Sequence, residues 1–397
     1  MNRHAMIVGA TLTLVACSGD SDGGEPGKEC PAADEVADAG AGTRDPAGDG
    51  GADAAALPEP PAVTALSNIA PTQVPAAPRA DLRIASQCEF DSEAGTFHCA
   101  NFDAHEGEFA FSVVEPGDGS RYGVISVRSL QIDPQGVVSV RGDLPLVIVA
   151  QDTLQVFGRI SVAAHGRTAY AGGFAPNDSG GVGYGPGAGQ RGVLGHFLPS
   201  SGGSFCGTGG RGATPDSSPG VEGGASYGSP ALSPLVGGSS GGGPEGGAGG
   251  GAIQLVAGNH LQIGPYGVVD AGGGGGGNTS SGGGAGGAIL LEAKQVIVEG
   301  VLAANGGGGG AAQGGSGGQD GRPDATAASG EIPTLGGQGS AGDDKDGSDG
   351  MFMTENQALG GGGGAGRIHI RSADGTAMIT GVLSPTLVTG CASVAQL

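Results

Sequence analysis

From residue 81 onward, apolar residues alternate with polar ones in short runs, which is the period-2 pattern of β-strands. One arrangement of these runs returns five times. Each copy holds three short apolar runs separated by turns, with a glycine before the third run. The step from Leu130 to the matching Leu154 is 24 residues long. The copies occupy residues 125–138, 147–160, 253–269, 289–302 and 368–383.

A repeat with three short strands per turn predicts an all-β fold, a parallel β-solenoid of the right-handed, three-sided β-helix type. Leu154 should then lie beside Leu261 in a parallel pair. The alternative is an antiparallel β-sandwich, which does not need copies at matched spacing. In the solenoid the inward side chains form two ladders: Ile132, Val156, Ile263, Val298 and Ile379, and Val138, Ile160, Val269, Leu302 and Leu383.

Three glycine-rich inserts interrupt the repeat, at about 167–250, 272–287 and 306–364. Each follows a third strand, so all three should emerge on one side of the solenoid. Two states are open for them: flexible chain, or polyglycine-II-like strands whose close backbone approach only glycine permits. Because they hold few large apolar residues, we expect little contribution to the core. We also expect little effect from shortening the Gly306–Gly310 run.

Five of the ten phenylalanines fall between residues 81 and 121, where the first rung of a solenoid needs a cap. We interpret this stretch, with Cys88 and Cys99, as that cap or as the first rung itself. Its phenylalanines are Phe90, Phe97, Phe102, Phe109 and Phe111.

The cysteines indicate an oxidising compartment. Cys88 and Cys99 flank a predicted turn at Gly95, and we expect a disulfide between them. Cys206 and Cys391 can pair only if the fold brings them together. Cys30 is then the candidate for an unpaired thiol.

The first 16 residues read as an export signal, with a basic start and an apolar run too short to span a bilayer. The run ends in Leu14-Val15-Ala16-Cys17, which resembles the lipobox of bacterial lipoproteins. The resemblance implies cleavage before Cys17, acylation of Cys17 with a lipid such as palmitate, and, from Ser18, sorting to the outer membrane. Residues 17–80 are rich in Ala, Gly, Pro and acidic residues, which predicts a disordered acidic tether ahead of a domain at 81–397.

The net charge of −22 argues against a nucleic-acid partner, which requires a basic surface. The densest acidic run offers a weak Ca²⁺ candidate, in which four residues follow the spacing of a calcium-binding loop. Asp349 stands where that loop needs glycine. The four candidates are Asp344, Asp346, Ser348 and Glu355. We predict no other metal or cofactor site and assign no catalytic residue.

These features favour a lipid-anchored, non-enzymatic cell-surface scaffold, structural or adhesive, that resembles the glycine-rich β-helical proteins bacteria place outside their cells. Its expected partners are the membrane, through the lipid, and an extracellular polysaccharide or another cell-surface component. The alternative is a carbohydrate-active enzyme, because polysaccharide lyases and polygalacturonases resemble this architecture. That alternative requires outward polar residues to converge in one groove. The residues in question are Asp270, Glu292, Lys294 and Arg371.

Overall fold

The repeats form β-strands in the computed structural model, which describes residues 63, 66–100, 105, 107–192, 199–213, 220–311, 317–330, 336–352 and 359–397. Among these residues there is no α-helix, and only two short 3₁₀ helices occur, at Pro71–Gln73 and Leu387–Thr389. The all-β class is therefore confirmed. The strands are β1 (Leu82–Ile84), β2 (Gln87–Asp91), β3 (Thr96–Cys99), β4 (Ala110–Val114), β5 (Tyr122–Val127), β6 (Leu130–Ile132), β7 (Val137–Arg141), β8 (Leu146–Ala150), β9 (Thr153–Val156), β10 (Arg159–Ser161), β11 (Ala252–Ile263), β12 (Val268–Asp270), β13 (Ala288–Val298), β14 (Val301–Ala303), β15 (Arg367–Ser372), β16 (Met378–Ile379), β17 (Val382–Ser384) and β18 (Ala392–Gln396).

The strands build two sheets whose members come from successive repeats. The larger sheet has 11 strands, along the order β1-β6-β9-β11-β13-β15-β18, with β4, β5, β8 and β16 attached. The smaller has seven, in the order β17-β14-β12-β10-β7-β2-β3. Among the described strands, only the β2–β3 and β4–β5 pairs are antiparallel. Every pair between repeats is parallel, so the antiparallel sandwich does not describe the repeats.

Both predicted ladders occur in register. In the larger sheet Ile132 pairs with Val156, Val156 with Ile263, Ile263 with Val298, and Val298 with Ile379. In the smaller sheet the partners run from Val138 through Ile160, Val269 and Leu302 to Leu383. Leu154 lies beside Leu261 in parallel, as expected. The strand bounds differ in one respect: the first two runs of the third and fourth copies merge into the long strands β11 and β13. In place of the predicted turn, the pairing of β11 with β13 has a register shift between Ala257 and His260.

In the larger sheet β8 is buried on both faces and reads as the unbroken apolar run Leu146–Ala150, whereas β6 and β9 bury every second residue. One face packs against the interior ladders. The other packs against apolar side chains of the first insert, Phe205, Leu232 and Leu235, and against Ile69. The expectation that the inserts contribute little to the core is therefore wrong. The first insert needs only three large side chains to form this second apolar cluster, because the sheet supplies most of its other members.

The described parts of the inserts are packed, hydrogen-bonded strands with a three-residue period. Along residues 282–287, successive backbone N–H groups donate to three different neighbouring segments in rotation, at 2.7–3.0 Å. This period is that of a three-residues-per-turn helix, as in polyglycine-II-like packing. The acceptors are Gly242 and Ser239 for residues 282 and 285, Gly361 and Gly364 for 283 and 286, and Gly274 and Ala271 for 284 and 287.

Segment 281–287 is enclosed on all sides. Its carbonyls accept hydrogen bonds from three further segments, at 203, at 247–250 and at 307–310, which makes six neighbours in all. The glycines of the Gly306–Gly310 run are buried and bonded within this packing. Shortening that run should therefore disturb the fold, contrary to the expectation from sequence.

In the phenylalanine-rich stretch, β2 pairs in parallel with β7 and forms an antiparallel hairpin with β3 at the end of the smaller sheet. Phe90 and Phe97 of this hairpin lie 4.6 Å apart between ring centroids. A disulfide joins the predicted pair Cys88 and Cys99. A second disulfide joins Cys206 of the first insert to Cys391 beside β18, across 185 residues. Both are typical of exported proteins. Within the described ranges, no helix is long and apolar enough to cross a membrane.

Residues Pro58–Leu397 cluster as one compact unit. Residues 66–80, which the sequence assigns to the tether, include Ile69, only 4% exposed against the sheet. The lipobox, Cys17, Cys30, Phe102 and Glu355 lie outside the described residues, and so does the tether up to residue 62.

Candidate functional site

A polar cleft lies on the outer face of the smaller sheet, where three adjacent strands end. Alternation along β7, β10 and β12 turns Val138, Ile160 and Val269 inward and every second residue outward. The outward residues Ser139, Ser161 and Asp270 stand side by side in the register of these strands. The cleft has a volume of about 200 Å³, and His165, Tyr170 and Asp320 complete its walls.

Asp270 and Arg159 form a buried ion pair at the cleft floor. The Asp270 carboxylate accepts hydrogen bonds from the Arg159 guanidinium and from the backbone N–H of Gly272, the latter at 3.0 Å. Asp270 is only 1% exposed, and burial raises its pKa above the ordinary aspartate value, although Arg159 opposes the shift. The Nε–H of Arg159 is buried and has no hydrogen-bond partner in the described parts of the chain.

Asp320 fixes the mouth of the cleft by joining three separate segments. Its carboxylate accepts hydrogen bonds from the backbone N–H groups of Gly166 and Gly275, each at 2.8 Å. It also contacts His165 Nδ1 at 2.6 Å. His165 and Gly166 precede the first insert, Gly275 lies in the second, and Asp320 belongs to the third. The described inserts therefore hold this wall in one position.

Arg141 and Tyr170 form the side of the cleft. The Arg141 guanidinium lies 4.3 Å from the centroid of the Tyr170 ring, a cation–π distance. Its Nε also pairs with Glu89 at 3.2 Å. Each basic side chain of the cleft thus contacts a carboxylate: Glu89 for Arg141, Asp270 for Arg159, and Asp320 for His165.

A second polar cluster attaches residues 67 and 68 to the larger sheet. Glu292 is fully buried and pairs with Arg371 at 2.8 Å, and Ser67 Oγ hydrogen-bonds to both. Asn68 donates to the Gln254 side chain at 3.1 Å and to the Leu232 carbonyl at 3.0 Å. These contacts hold the chain where it meets the sheet.

The four residues that would mark an enzyme groove do not come together. Glu292 meets Arg371, Asp270 meets Arg159 on the other sheet, and Lys294 donates to Asn259 at 2.8 Å. One pair of the four is therefore in contact, with the Glu292 carboxylate buried and the Arg371 side chain 23% exposed.

The calcium candidates have other partners. Asp346 Oδ1 accepts hydrogen bonds from the backbone N–H and the hydroxyl of Thr208, and Ser348 bonds to the backbone of Gln338. Asp344 and these two residues line an open acidic depression of about 450 Å³, whereas Glu355 is outside the described residues. Among the described residues, the one cluster with the spacing of a metal site is Cys88, Cys99 and His105, and its two sulfurs form a disulfide.

Sequence reasoning singled out Asp270, but it did not find the cleft. Ser139 and Ser161 could have been found from the sequence, because alignment of the repeats places them in register with Asp270. Asp320 carries no such signal, because it comes from a glycine-rich insert without a strand pattern.

No protein-family model, no curated protein and no solved structure matches this chain.

Proposed function

We propose that the chain is a lipid-anchored, non-enzymatic scaffold outside the cell, structural or adhesive, whose repeats wind as a right-handed, three-sided parallel β-solenoid. The observation that carries the proposal is the packing of the inserts. Glycine-rich segments with few large side chains are joined to six neighbours by backbone hydrogen bonds, and they cover a sheet that is already paired in parallel. Such a body has little room for the closing motions that many enzymes use.

The winding is supported by the two in-register ladders and by the place where the inserts leave. The three inserts follow β10, β12 and β14, which are adjacent strands of the smaller sheet. A solenoid with its inserts on one side accounts for both facts.

Attachment to the outer membrane through Cys17 is supported by the lipobox and by the two disulfides, which belong to an oxidising compartment. One lipid and the predicted acidic tether would keep the folded body near the membrane but free to reorient.

The non-enzymatic role is supported by the separation of the polar residues that a carbohydrate-active enzyme would bring together. Asp270, Lys294 and Glu292 each have a different partner, and the Glu292 carboxylate is enclosed. Paired-carboxylate or base-plus-cation chemistry needs such groups around one open groove.

The anchor is tested by palmitate labelling of the protein produced in a Gram-negative host. Wild type should incorporate the label, and Cys17→Ser should not, because the thiol is the acyl acceptor. Cys30→Ser is the matched control and should be labelled like wild type. Protease treatment of intact cells should remove the domain only if it faces outward. Equal labelling of Cys17→Ser and wild type would refute the anchor.

A further inference from the structure

We propose that the cleft between β7, β10, β12 and Asp320 binds one neutral sugar unit of a polysaccharide. The inference rests on the proposed role outside the cell and gives the scaffold a ligand class and a site. The argument uses the size of the cleft, its charge balance and the polar groups that remain without partners.

The size of the cleft limits its occupant. Its volume of about 200 Å³ is below the ~300–1,000 Å³ of pockets that enclose drug-sized ligands. One small polar unit, such as a single ring of a longer chain, fits this space better than a nucleotide or a large cofactor. The open mouth lets the remainder of a polymer continue outside.

The charged groups of the cleft are already paired with one another, which favours a neutral ligand over an ionic one. Arg141 and Arg159 are each paired with a carboxylate, so the cleft has no surplus positive charge for an acid. The carboxylates of the cleft also have hydrogen-bond partners already. Asp270 and Asp320 already accept hydrogen bonds from arginine, histidine or backbone N–H groups, and they offer a cation no free ligand set.

The groups that remain suit hydroxyls. Arg159 Nε–H has no partner but is closed off from solvent, so the groups that a ligand can reach are the hydroxyls of the lining. The Ser139 hydroxyl and the Tyr170 hydroxyl line the same space and make no hydrogen bond within the described residues. A hydroxyl both donates and accepts, so a sugar ring can satisfy these groups together without adding charge.

The walls are also preformed. The Asp320 contacts to three segments and the Arg141–Tyr170 stack position the cleft before any ligand arrives. Preorganisation reduces the entropy lost on binding, which matters for a ligand with few contacts.

The test is calorimetric titration of the exported domain, residues 58–397, with neutral xylo-, cello-, malto- and galacto-oligosaccharides, and with oligogalacturonate as the acidic comparison. Wild type should bind at least one neutral series more tightly than oligogalacturonate. Ser139→Phe should fill the cleft and weaken binding at least 10-fold. Val137→Phe, outward on the same strand but outside the cleft, is the matched control and should bind like wild type.

A second variant removes the Arg159–Asp270 ion pair at the cleft floor without leaving a buried charge alone. Arg159→Met combined with Asp270→Asn should also weaken binding at least 10-fold. Its control is Arg83→Met with Asp133→Asn, a partly buried ion pair at 2.9 Å elsewhere in the fold. Thermal unfolding of each variant identifies any that fail to fold, and the conclusion then rests on the other pair.

Three results would overturn the proposal: no binding of any neutral series by wild type, unchanged binding by folded Ser139→Phe, or tighter binding of oligogalacturonate. None of these bears on the scaffold role itself, which the Cys17 labelling and the strand-register test below address separately.

Discussion

At the residue scale, the inserts depend on glycine for close approach of backbones rather than for unusual dihedral angles. A Cβ added at Gly283 would overlap the carbonyl oxygen of Gly307, and one at Gly363 would overlap that of Gly284. These contacts are with backbone, which cannot turn aside as a flexible side chain can. The high glycine content of the inserts is therefore a packing requirement.

We expect Gly283→Ala to lower the free energy of unfolding by ~1–3 kcal/mol, because the added methyl forces two hydrogen-bonded segments apart. Gly181→Ala is the matched control, since its Cβ would meet only the side-chain amide of Asn177, at 3.2 Å. That variant should stay within about 0.5 kcal/mol of wild type. Urea unfolding of both proteins measures the difference. Similar losses in the two variants would argue against tight packing at residue 283.

His369 gives the larger sheet a pH dependence. Burial, together with the nearby Arg371 charge, lowers the pKa of His369 below 6.5, and its Nδ1 contacts Ser393 Oγ at 2.8 Å. The unfolded chain binds this proton first, so stability should fall as the pH drops through about 6.5. His369→Gln retains an amide for Ser393 and should lose that component. The measurement is the free energy of unfolding at pH 7.5 and at pH 5.5, and equal slopes for both proteins would contradict the assignment.

At the scale of elements, strands were predictable and inserts were not. Each strand side chain at an inward position repeats its type in the next copy, as Ile132, Val156 and Ile263 do, so the register can be read from alignment alone. In the inserts the interactions are backbone hydrogen bonds between glycines, which leave no side-chain pattern to compare. The sequence therefore left flexible chain and polyglycine-like packing equally open.

The same difference between strands and inserts explains which residues of the cleft could be predicted from the sequence. Ser139 and Asp270 lie on strands and their proximity follows from the register, whereas Asp320 reaches the cleft through the fold of an insert. The anchoring of residues 67 and 68 was missed because its partners, Glu292 and Arg371, are distant in sequence.

The strand register predicts which residues can be cross-linked. Gln155 and Gln262 are register partners across the first insert, with their side chains hydrogen-bonded at 3.2 Å. In a Cys30→Ser background, Gln155→Cys with Gln262→Cys should oxidise to a disulfide. Gln155→Cys with His260→Cys is offset by two residues and should not, because its Cα atoms lie beyond the ~7 Å limit. Non-reducing electrophoresis or mass spectrometry distinguishes the pairs, and equal cross-linking of both would disprove the register.

At the scale of the whole molecule, the Cys206–Cys391 disulfide ties the first insert to the C-terminal strands. Close to it, Arg367 donates to the Tyr227 carbonyl at 2.9 Å and lies over the Phe205 ring. The insert is thus held to the sheet by a covalent bond, an apolar cluster and a cation–π contact. The bond closes a loop of 185 residues, against 11 for Cys88–Cys99.

Loss of the long-range disulfide should cost more stability than loss of the short one. The chain-entropy model gives about 5 kcal/mol for a loop as long as that of Cys206–Cys391 and about 3 kcal/mol for one as short as that of Cys88–Cys99. Replacing each pair by serine and measuring unfolding in urea tests the order. A larger loss for the Cys88–Cys99 pair would indicate that the cap, rather than the insert attachment, governs stability.

The three-residue rotation of donors along residues 282–287 also restricts how such a protein can change length over evolution. Removing one residue from a segment turns each later N–H by about a third of a turn, toward a neighbour whose carbonyls are already occupied. Removing three restores every direction. Insertions and deletions within the packed segments should therefore survive selection mainly in multiples of three amino acids. The packing constrains the length of the inserts in steps of three residues, in addition to the constraint that the codon imposes on the gene.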